Sequence, residues 1–186
     1  MKNSVLQNEL ENLFGDKCSF SESVRQNYSK GEDVYDPVVP EAVIFPETNE
    51  EISSIVKLCN KYKTPIVPFG TGTSLEGSAL GIKNGISISL EKMNRILETN
   101  VEDFDCRVES FVTRKQLNED LKDKGVFFPI DPGANASIGG MTSTSASGTM
   151  AVKYGTMKTV VSGLTIILAS GEIIKTGTRT KKTSAG

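Results

Sequence analysis

The stretch that decides the fold is Pro65-Ile66-Val67-Pro68-Phe69-Gly70-Thr71-Gly72-Thr73-Ser74-Leu75-Glu76-Gly77, a short apolar run followed directly by a glycine-rich segment. The apolar run is typical of a buried strand, and the glycines allow a ligand to approach the backbone closely. Backbone amides at the end of a strand can also converge on an anion. The segment therefore fits a phosphate cradle, although a flexible hairpin connection explains it equally well because glycine is common in turns.

Two familiar nucleotide-binding motifs do not fit this segment. It lacks the Gly-Lys-Ser/Thr ending of a P-loop, and its glycines have neither the spacing nor the following helix of the Rossmann fingerprint. Binding of ATP or NAD by either of those routes is therefore disfavoured.

Regular elements are expected on both sides of this stretch. Ala42–Phe45 is a predicted buried strand, and Thr48–Glu51 matches a capping box that starts a helix. Apolar residues predicted to share one face of that helix are Ile52, Ile55, Val56 and Cys59. Together with Pro65–Phe69 this gives a strand, a helix and a strand, an order that favours a parallel pair joined by a right-handed crossover. Gly85–Leu90 is the next predicted strand.

The two ends of the chain give weaker signals. Asn3–Phe14 has helical spacing of apolar residues, including Val5 and Leu13, and we expect this first helix to stop at Gly15. The polar segment Ser19–Pro40 shows no sustained period and is predicted to be a long surface connection. At the other end, the last residues show no closing element, which predicts a chain that has been cut short.

The second half predicts a further mixture of strands and helices. Asp105–Val112 alternates like a strand, and Thr113–Gln116 is a second capping-box pattern. Leu164–Ala169 and Glu172–Thr176 are expected to form a hairpin across Ser170 and Gly171.

Between these elements lies a tract of small residues, Asp131–Thr149, made mostly of Gly, Ala, Ser and Thr. A disordered linker could have this composition. Loops of this length in compact domains more often serve a ligand, and its amides and hydroxyls suit a large, flat molecule that carries phosphates. We therefore favour a ligand site over a linker.

Composition limits the chemistry further. The 186 residues, enough for one domain or two small lobes, contain no His, so no His-based triad and no metal site is expected. Lys and Arg number 21 against 23 Asp and Glu, so no broad basic face is available and nucleic acid is not an expected partner.

Three widely spaced Cys fit a reducing compartment. The sequence shows neither a targeting segment nor a transmembrane segment, and a cytoplasmic location is predicted.

Five groups of residues together carry a family resemblance. They are Pro65–Gly77, Asp131–Ala134, Ser137–Met141, Ala146–Thr149 and Lys153–Met157. This ordered set strongly resembles the FAD-linked oxidases of the vanillyl-alcohol-oxidase type. Within that family it most resembles the cytochrome-linked D-lactate dehydrogenases, followed by the FAD subunit of glycolate oxidase.

The resemblance implies an α+β fold, namely a PCMH-type FAD-binding domain of two α/β lobes that is incomplete at its C-terminus. The implied division places an N-terminal helix and a polar connection in residues 1–40, a small FAD-binding lobe in 41–92 and a larger mixed lobe in 93–186. The pyrophosphate of FAD would lie between the lobes. The family typically has Pro-Gly where this sequence has Ser110-Phe111.

The resemblance also implies which residues contact FAD. In the first segment they are Gly70, Thr71, Gly72, Thr73, Ser74, Leu75 and Gly77. In the second half they are Pro132, Gly133, Ala134, Ser137, Ile138, Gly139, Gly140, Thr144, Ser147, Gly148, Tyr154 and Gly155. We expect a valine at Gly72 or Gly139 to occupy ligand space and to prevent FAD uptake. No catalytic residue is assigned.

The implied reaction is oxidation of a D-2-hydroxy acid, with D-lactate first, by hydride transfer to the flavin. The family binds this small acid through a substrate cap that carries His and Arg, and the sequence specifies no electron acceptor. Because these residues include no His, one alternative is a non-catalytic FAD-binding remnant or a subunit that requires a partner chain. Another is a small-molecule or nucleotide-binding module without flavin.

Overall fold

The computed structural model describes residues 4–180, and the chain divides into two compact units. The first unit contains Met1–Lys92 and Ile167–Ile173. The second contains Met93–Ile166 and Ile174–Gly186. Both units combine helices with strands.

The first unit has one four-stranded sheet. Its strands are β1 (Cys18–Ser19), β2 (Ala42–Ile44), β3 (Ile66–Phe69) and β4 (Ile86–Ser89), in the spatial order β1-β2-β4-β3. β2 and β3 both run parallel to β4, and β1 pairs antiparallel with β2. The expectation that β2 and β3 would pair directly is therefore wrong, because β4, which is buried along its whole length, lies between them.

Three helices accompany this sheet, α1 (Ser4–Phe14), α2 (Glu22–Asn27) and α3 (Asn49–Lys61). α1 buries Leu6, Leu10 and Phe14, whereas Val5 and Leu13, which were predicted to lie with them, are exposed. The predicted first residue of this helix, Asn3, lies outside the described residues. α2 falls within the predicted surface connection, so that prediction is wrong for this part of the chain.

The start of α3 confirms the predicted capping box. The Thr48 hydroxyl accepts a hydrogen bond of 3.1 Å from the Glu51 amide, and the Glu51 carboxylate accepts one of 2.7 Å from the Glu47 amide. The core of the unit then forms between α1, α3 and the sheet. Its largest fully buried side chains are Leu6, Leu10, Ile44, Ile55 and Ile86. This packing fixes the carboxyl ends of β2, β4 and β3 at one edge of the sheet.

The second unit contains β5 (Ile96–Asn100) and β6 (Asp105–Val108), which form an antiparallel hairpin. β5 was not predicted from the sequence. β6 ends at Val108, earlier than predicted, because residues 109–112 turn and the Val112 amide donates to the Glu109 carbonyl at 3.2 Å.

The last two strands, β7 (Gly163–Ile167) and β8 (Ile173–Gly177), form the predicted hairpin. The residues at its tip belong to the first unit, where they are held to α3. There, Ser53 donates to the Gly171 carbonyl at 2.5 Å and Asn60 donates to the Ala169 carbonyl at 2.7 Å.

Up to residue 180, the second unit contains four α-helices: α4 (Arg114–Leu121), α5 (Ile138–Ser143), α6 (Ala151–Tyr154) and α7 (Met157–Val160). The predicted cap at Thr113 is confirmed, since its hydroxyl accepts from the Gln116 amide at 3.2 Å. One small core surrounds Val112, Leu117 and Leu121, and another surrounds Ile130, Met141 and Met157. In the described part of the chain, none of the helices combines the length and the apolar character that crossing a bilayer requires.

Candidate cofactor site

Residues 70–81, here called the glycine loop, follow β3 directly and begin at the carboxyl edge of the parallel strands. Gly72 and Gly77 adopt φ values of +71° and +72°, a conformation that residues with a side chain rarely adopt. Ligands of open parallel sheets bind at this edge. The loop is therefore placed as a ligand-binding loop of an α/β unit would be.

Five consecutive amides of the glycine loop are free to bind a ligand. Within residues 4–180, the amides from Gly70 to Ser74 donate to no other protein atom, and all five residues are half-buried. Successive amides of this kind form concavities that bind anions. The hydroxyl oxygens of Thr71 and Thr73, 3.3 Å apart, add further polar groups. This donor set suits a phosphate group and needs no cationic side chain.

An aromatic and hydroxyl cluster supports the start of the loop. The Tyr28 ring meets the rings of Phe45 and Phe69 edge-on, with centroids 5.7 and 4.8 Å apart. The Tyr28 hydroxyl donates to the Glu91 carboxylate at 2.9 Å, and its oxygen lies 3.2 Å from the Ser89 hydroxyl oxygen. Burial raises the pKa of Tyr28 above its ordinary value, so the hydroxyl stays protonated as a donor. Phe69, which immediately precedes the loop, is held in place by these contacts.

The residues that pack against the glycine loop were missed by the sequence analysis. They lie in the predicted surface connection, where Ser29 and Asp33 are only 6% and 5% exposed. Polar residues give no hydrophobic pattern, and their burial here depends on backbone partners elsewhere in the sequence. The only available signal was the glycine at position 31, which marks a close approach between two backbones.

Asp131 joins the two ends of the small-residue tract, residues 131–149. Its carboxylate accepts hydrogen bonds from the Thr149 hydroxyl at 2.5 Å and from the Met150 amide at 3.1 Å. These bonds hold the pKa of Asp131 below its ordinary value. Gly148 lies so close that a Cβ there would come within 2.6 Å of the Asp131 amide nitrogen. The tract is therefore an ordered loop rather than a linker.

Helix α5 lies inside this tract, where no helix was predicted. Ser137 caps it, with its hydroxyl accepting from the Gly140 amide at 3.4 Å. The Gly139 amide donates to the Ser110 carbonyl at 2.8 Å. The Ser110-Phe111 pair thus forms a turn that contacts the start of α5.

Two of the candidate glycines lie close to other protein atoms. A Cβ at Gly139 would lie 2.7 Å from the Ser110 Cβ, and one at Gly72 would lie 3.0 Å from the Phe69 ring. Side chains at both positions would therefore first contact protein atoms, and the expectation that they fill ligand space stays a prediction.

A second run of free amides lies at the start of the tract. Among the described residues, the amides from Gly133 to Ser137 donate to no protein atom. Apart from its chain neighbours, no atom of the described residues would lie within 4 Å of a Cβ at Gly133, so this position faces open space. Gly133 is therefore the candidate residue best placed to present bare backbone to a ligand.

The remaining candidate residues have mixed environments. Ser137 is buried, Ile138 packs against both small cores and the Thr144 hydroxyl donates back to the Gly140 carbonyl at 3.1 Å. Leu75 and Ser147 are exposed. The Tyr154 ring meets the Phe127 ring edge-on at 5.6 Å, and Gly155 has φ of +80°. Their contacts with FAD stay predictions.

These features are those of an α+β domain that binds a nucleotide cofactor. Residues 40–177 match the FAD binding domain family, and the chain belongs to that family.

Known proteins and structures agree with this assignment. The chain is 47% identical over 171 residues to the probable mitochondrial D-lactate dehydrogenase of Danio rerio, covering 90% of this chain and 34% of the relative. It is 36% identical over 150 residues to glycolate oxidase subunit GlcD of Bacillus subtilis, covering 80% and 32%. The solved structure of 4-ethylphenol oxidase from Gulosibacter chungangensis matches with a TM-score of 0.79 and 27% identity, covering 94% of this chain and 34% of that one. The chain therefore spans about a third of the length of these proteins.

The comparisons confirm the resemblance to FAD-linked oxidases, the PCMH-type α+β fold and FAD as the cofactor. The residues present fit such a cofactor. Each of the two runs of free amides offers consecutive N–H donors, and Gly133 leaves room beside its backbone.

Proposed function

We propose that this chain is the FAD-binding part of an oxidoreductase that oxidises a D-2-hydroxy acid, with D-lactate as the first candidate. The similarity to proteins named D-lactate dehydrogenase and glycolate oxidase subunit carries the proposal. Lactate and glycolate are both 2-hydroxy acids and differ by one methyl group. When bound, FAD supplies the acceptor for the hydride on the α-carbon of the acid.

The residues of this chain bind and orient the cofactor. Free amides from Gly70 to Ser74 offer partial positive charge to phosphate oxygens without a lysine or an arginine. This is consistent with the net charge of −2. Free amides from Gly133 to Ser137 give the second half of the chain its own set of donors.

A second candidate is an FAD-binding subunit that acts with a partner chain. Oxidation of a hydroxy acid also requires removal of the hydroxyl proton, and histidine is the commonest base for such a step. The 186 residues contain no histidine. In this case the base would come from outside these residues.

One experiment separates the two candidates. The full chain is purified, loaded with FAD, freed of unbound flavin and mixed with D-lactate, L-lactate or glycolate in the absence of oxygen. Loss of visible flavin absorbance with D-lactate, but not with L-lactate, supports the first candidate. Retained FAD that none of the three acids reduces means that substrate binding or proton removal needs residues outside this chain, as the second candidate requires. A folded chain that takes up no FAD contradicts both.

The cellular location and the electron acceptor need separate tests. The cytoplasmic location predicted from the sequence is a proposal that fractionation of the source cells tests directly. Reduction of an artificial dye by the loaded chain and D-lactate would show whether electrons leave the flavin without a further protein.

A further inference from the structure

Residues 28–38, here called the clasp, contact the glycine loop through main-chain atoms. The Glu32 amide donates to the Gly72 carbonyl at 2.8 Å. The Ser29 carbonyl accepts from the Gly81 amide at 3.0 Å and from the Val38 amide at 3.1 Å. The clasp is thereby bonded to the glycine loop near both of the loop's ends.

The contact between the clasp and the loop leaves no room for additional side-chain atoms. A Cβ at Gly31 would collide with the Gly72 carbonyl oxygen, and one at Gly81 would collide with the Val38 carbonyl oxygen. A Cβ at Gly77 would come within 2.9 Å of the Tyr35 ring. The close fit at three glycines means that a shift of the clasp shifts the loop.

Asp33 sets the shape of the clasp. It is 5% exposed, and its carboxylate accepts hydrogen bonds of 3.1 Å from both the Gly31 amide and the Tyr35 amide. These bonds bend the chain on both sides of Asp33. They hold Gly31 against Gly72 and aim the Glu32 amide at the Gly72 carbonyl.

We propose that Asp33 is a positioning residue for cofactor binding, a role that rests on the proposed FAD-binding function. Asp33 acts through the clasp, because its carboxylate bonds to clasp amides and the clasp in turn bonds to the loop. Its effect is to keep the free amides from Gly70 to Ser74 in one arrangement before the ligand arrives. An ordered loop binds more tightly because less conformational freedom is lost on binding.

The test compares Asp33→Asn with Asp36→Asn. Asp36 lies in the same clasp but is exposed. Asp36→Asn therefore makes the same chemical change and leaves the buried Asp33 carboxylate in place. The FAD dissociation constant of the full chain is measured where circular dichroism shows each variant folded. We expect Asp33→Asn to weaken FAD binding about tenfold, the size of one lost hydrogen bond to a charged group. Asp36→Asn should bind FAD like the wild type.

Gly31→Ala provides a second variant in case Asp33→Asn does not fold. Its methyl group would push against the Gly72 carbonyl while leaving the Asp33 carboxylate intact. We expect the same loss of FAD affinity. Wild-type affinity in a folded Gly31→Ala or Asp33→Asn variant would overturn the proposal.

Hydrogen exchange distinguishes positioning from a general structural role. In Asp33→Asn, the amides of Glu32 and Gly81, whose hydrogen bonds join the clasp to the loop, should exchange faster, while β2 and β4 keep their protection. Equal loosening of the whole first unit would overturn the proposal. Failure of the wild-type chain to bind FAD would contradict the proposed function. The hydrogen-exchange comparison of wild type and Asp33→Asn would still show whether Asp33 keeps the loop in position.

Discussion

The backbone amide of Glu32 donates a hydrogen bond of 2.8 Å to the carbonyl oxygen of Gly72. The bond joins the segment before β2 to the loop after β3. Because main-chain atoms supply both its donor and its acceptor, neither side chain reveals it. The conformation of Gly72 is therefore important both for the fold and for the cofactor loop.

Gly72→Ala should destabilise the first unit. The residue has φ of +71°, and a Cβ would lie 3.0 Å from the Phe69 ring. We expect a loss of about 1–3 kcal/mol in the free energy of unfolding, measured with urea, because a side chain is strained in this conformation. Near-ultraviolet circular dichroism should also change as Phe69 moves against Tyr28. An unchanged urea midpoint would contradict this account of Gly72.

Two glycines of the small-residue tract should respond differently to valine. Gly133→Val places its side chain in open space, so we expect nearly unchanged stability and a loss of FAD affinity. Gly139→Val forces atoms against Ser110, and we expect about 1–3 kcal/mol of destabilisation from overpacking. Urea unfolding and FAD titration of both variants check this. Normal FAD binding by Gly133→Val would argue against a cofactor at that position.

Asp131 should make stability depend on pH. Hydrogen bonds from Thr149 and Met150 lower its pKa below the ordinary value of 3.8. Because its pKa is lower in the folded chain than in the unfolded chain, the ionised carboxylate stabilises the fold above pH 3.8. This stabilisation is lost as the pH falls through the folded-state pKa. Asp131→Asn should therefore lose more stability at neutral pH than in acid.

The control for this pH dependence is Asp123→Asn, because Asp123 is exposed in the short 3-10 helix that follows α4. Urea midpoints of both variants are compared with the wild type across the acidic range. An equal loss for Asp131→Asn at every pH would show that its carboxylate does not carry the effect.

Tyr28→Phe should remove a hydroxyl while leaving the aromatic packing in place. The hydroxyl bonds Ser89 and Glu91, so we expect a loss of about 1–2 kcal/mol in the free energy of unfolding. In the wild type, an absorbance titration should contain a component above the ordinary pH range of tyrosine ionisation, because burial raises the pKa of Tyr28. The high-pH component should be absent from Tyr28→Phe, and its persistence would assign it to another tyrosine.

Local signals in the sequence predicted much of the fold. The caps at Thr48 and Thr113 need only residues three positions away, and both formed as expected. The strand order could not be predicted, because β2 and β4 are both short strands whose residues are all buried. β5 has no clear alternation of buried and exposed residues, which explains why it was missed.

The candidate site was predictable only in part. Glycine-rich composition indicated the two ligand-binding segments, and the family resemblance identified their cofactor. The contribution of Asp33 could not be predicted, because a polar residue between Glu32 and Val34 has no pattern that indicates burial. The direction of Gly139 toward Ser110 also depends on contacts between residues far apart in the sequence.

The most direct test of the account is a titration of the full wild-type chain with FAD, followed by calorimetry and by the change in flavin fluorescence. We expect saturable uptake of one FAD per chain, with uptake abolished in a folded Gly133→Val variant and retained in Asp36→Asn. A wild-type chain that is folded by circular dichroism, yet produces neither heat nor a fluorescence change with FAD, would contradict it.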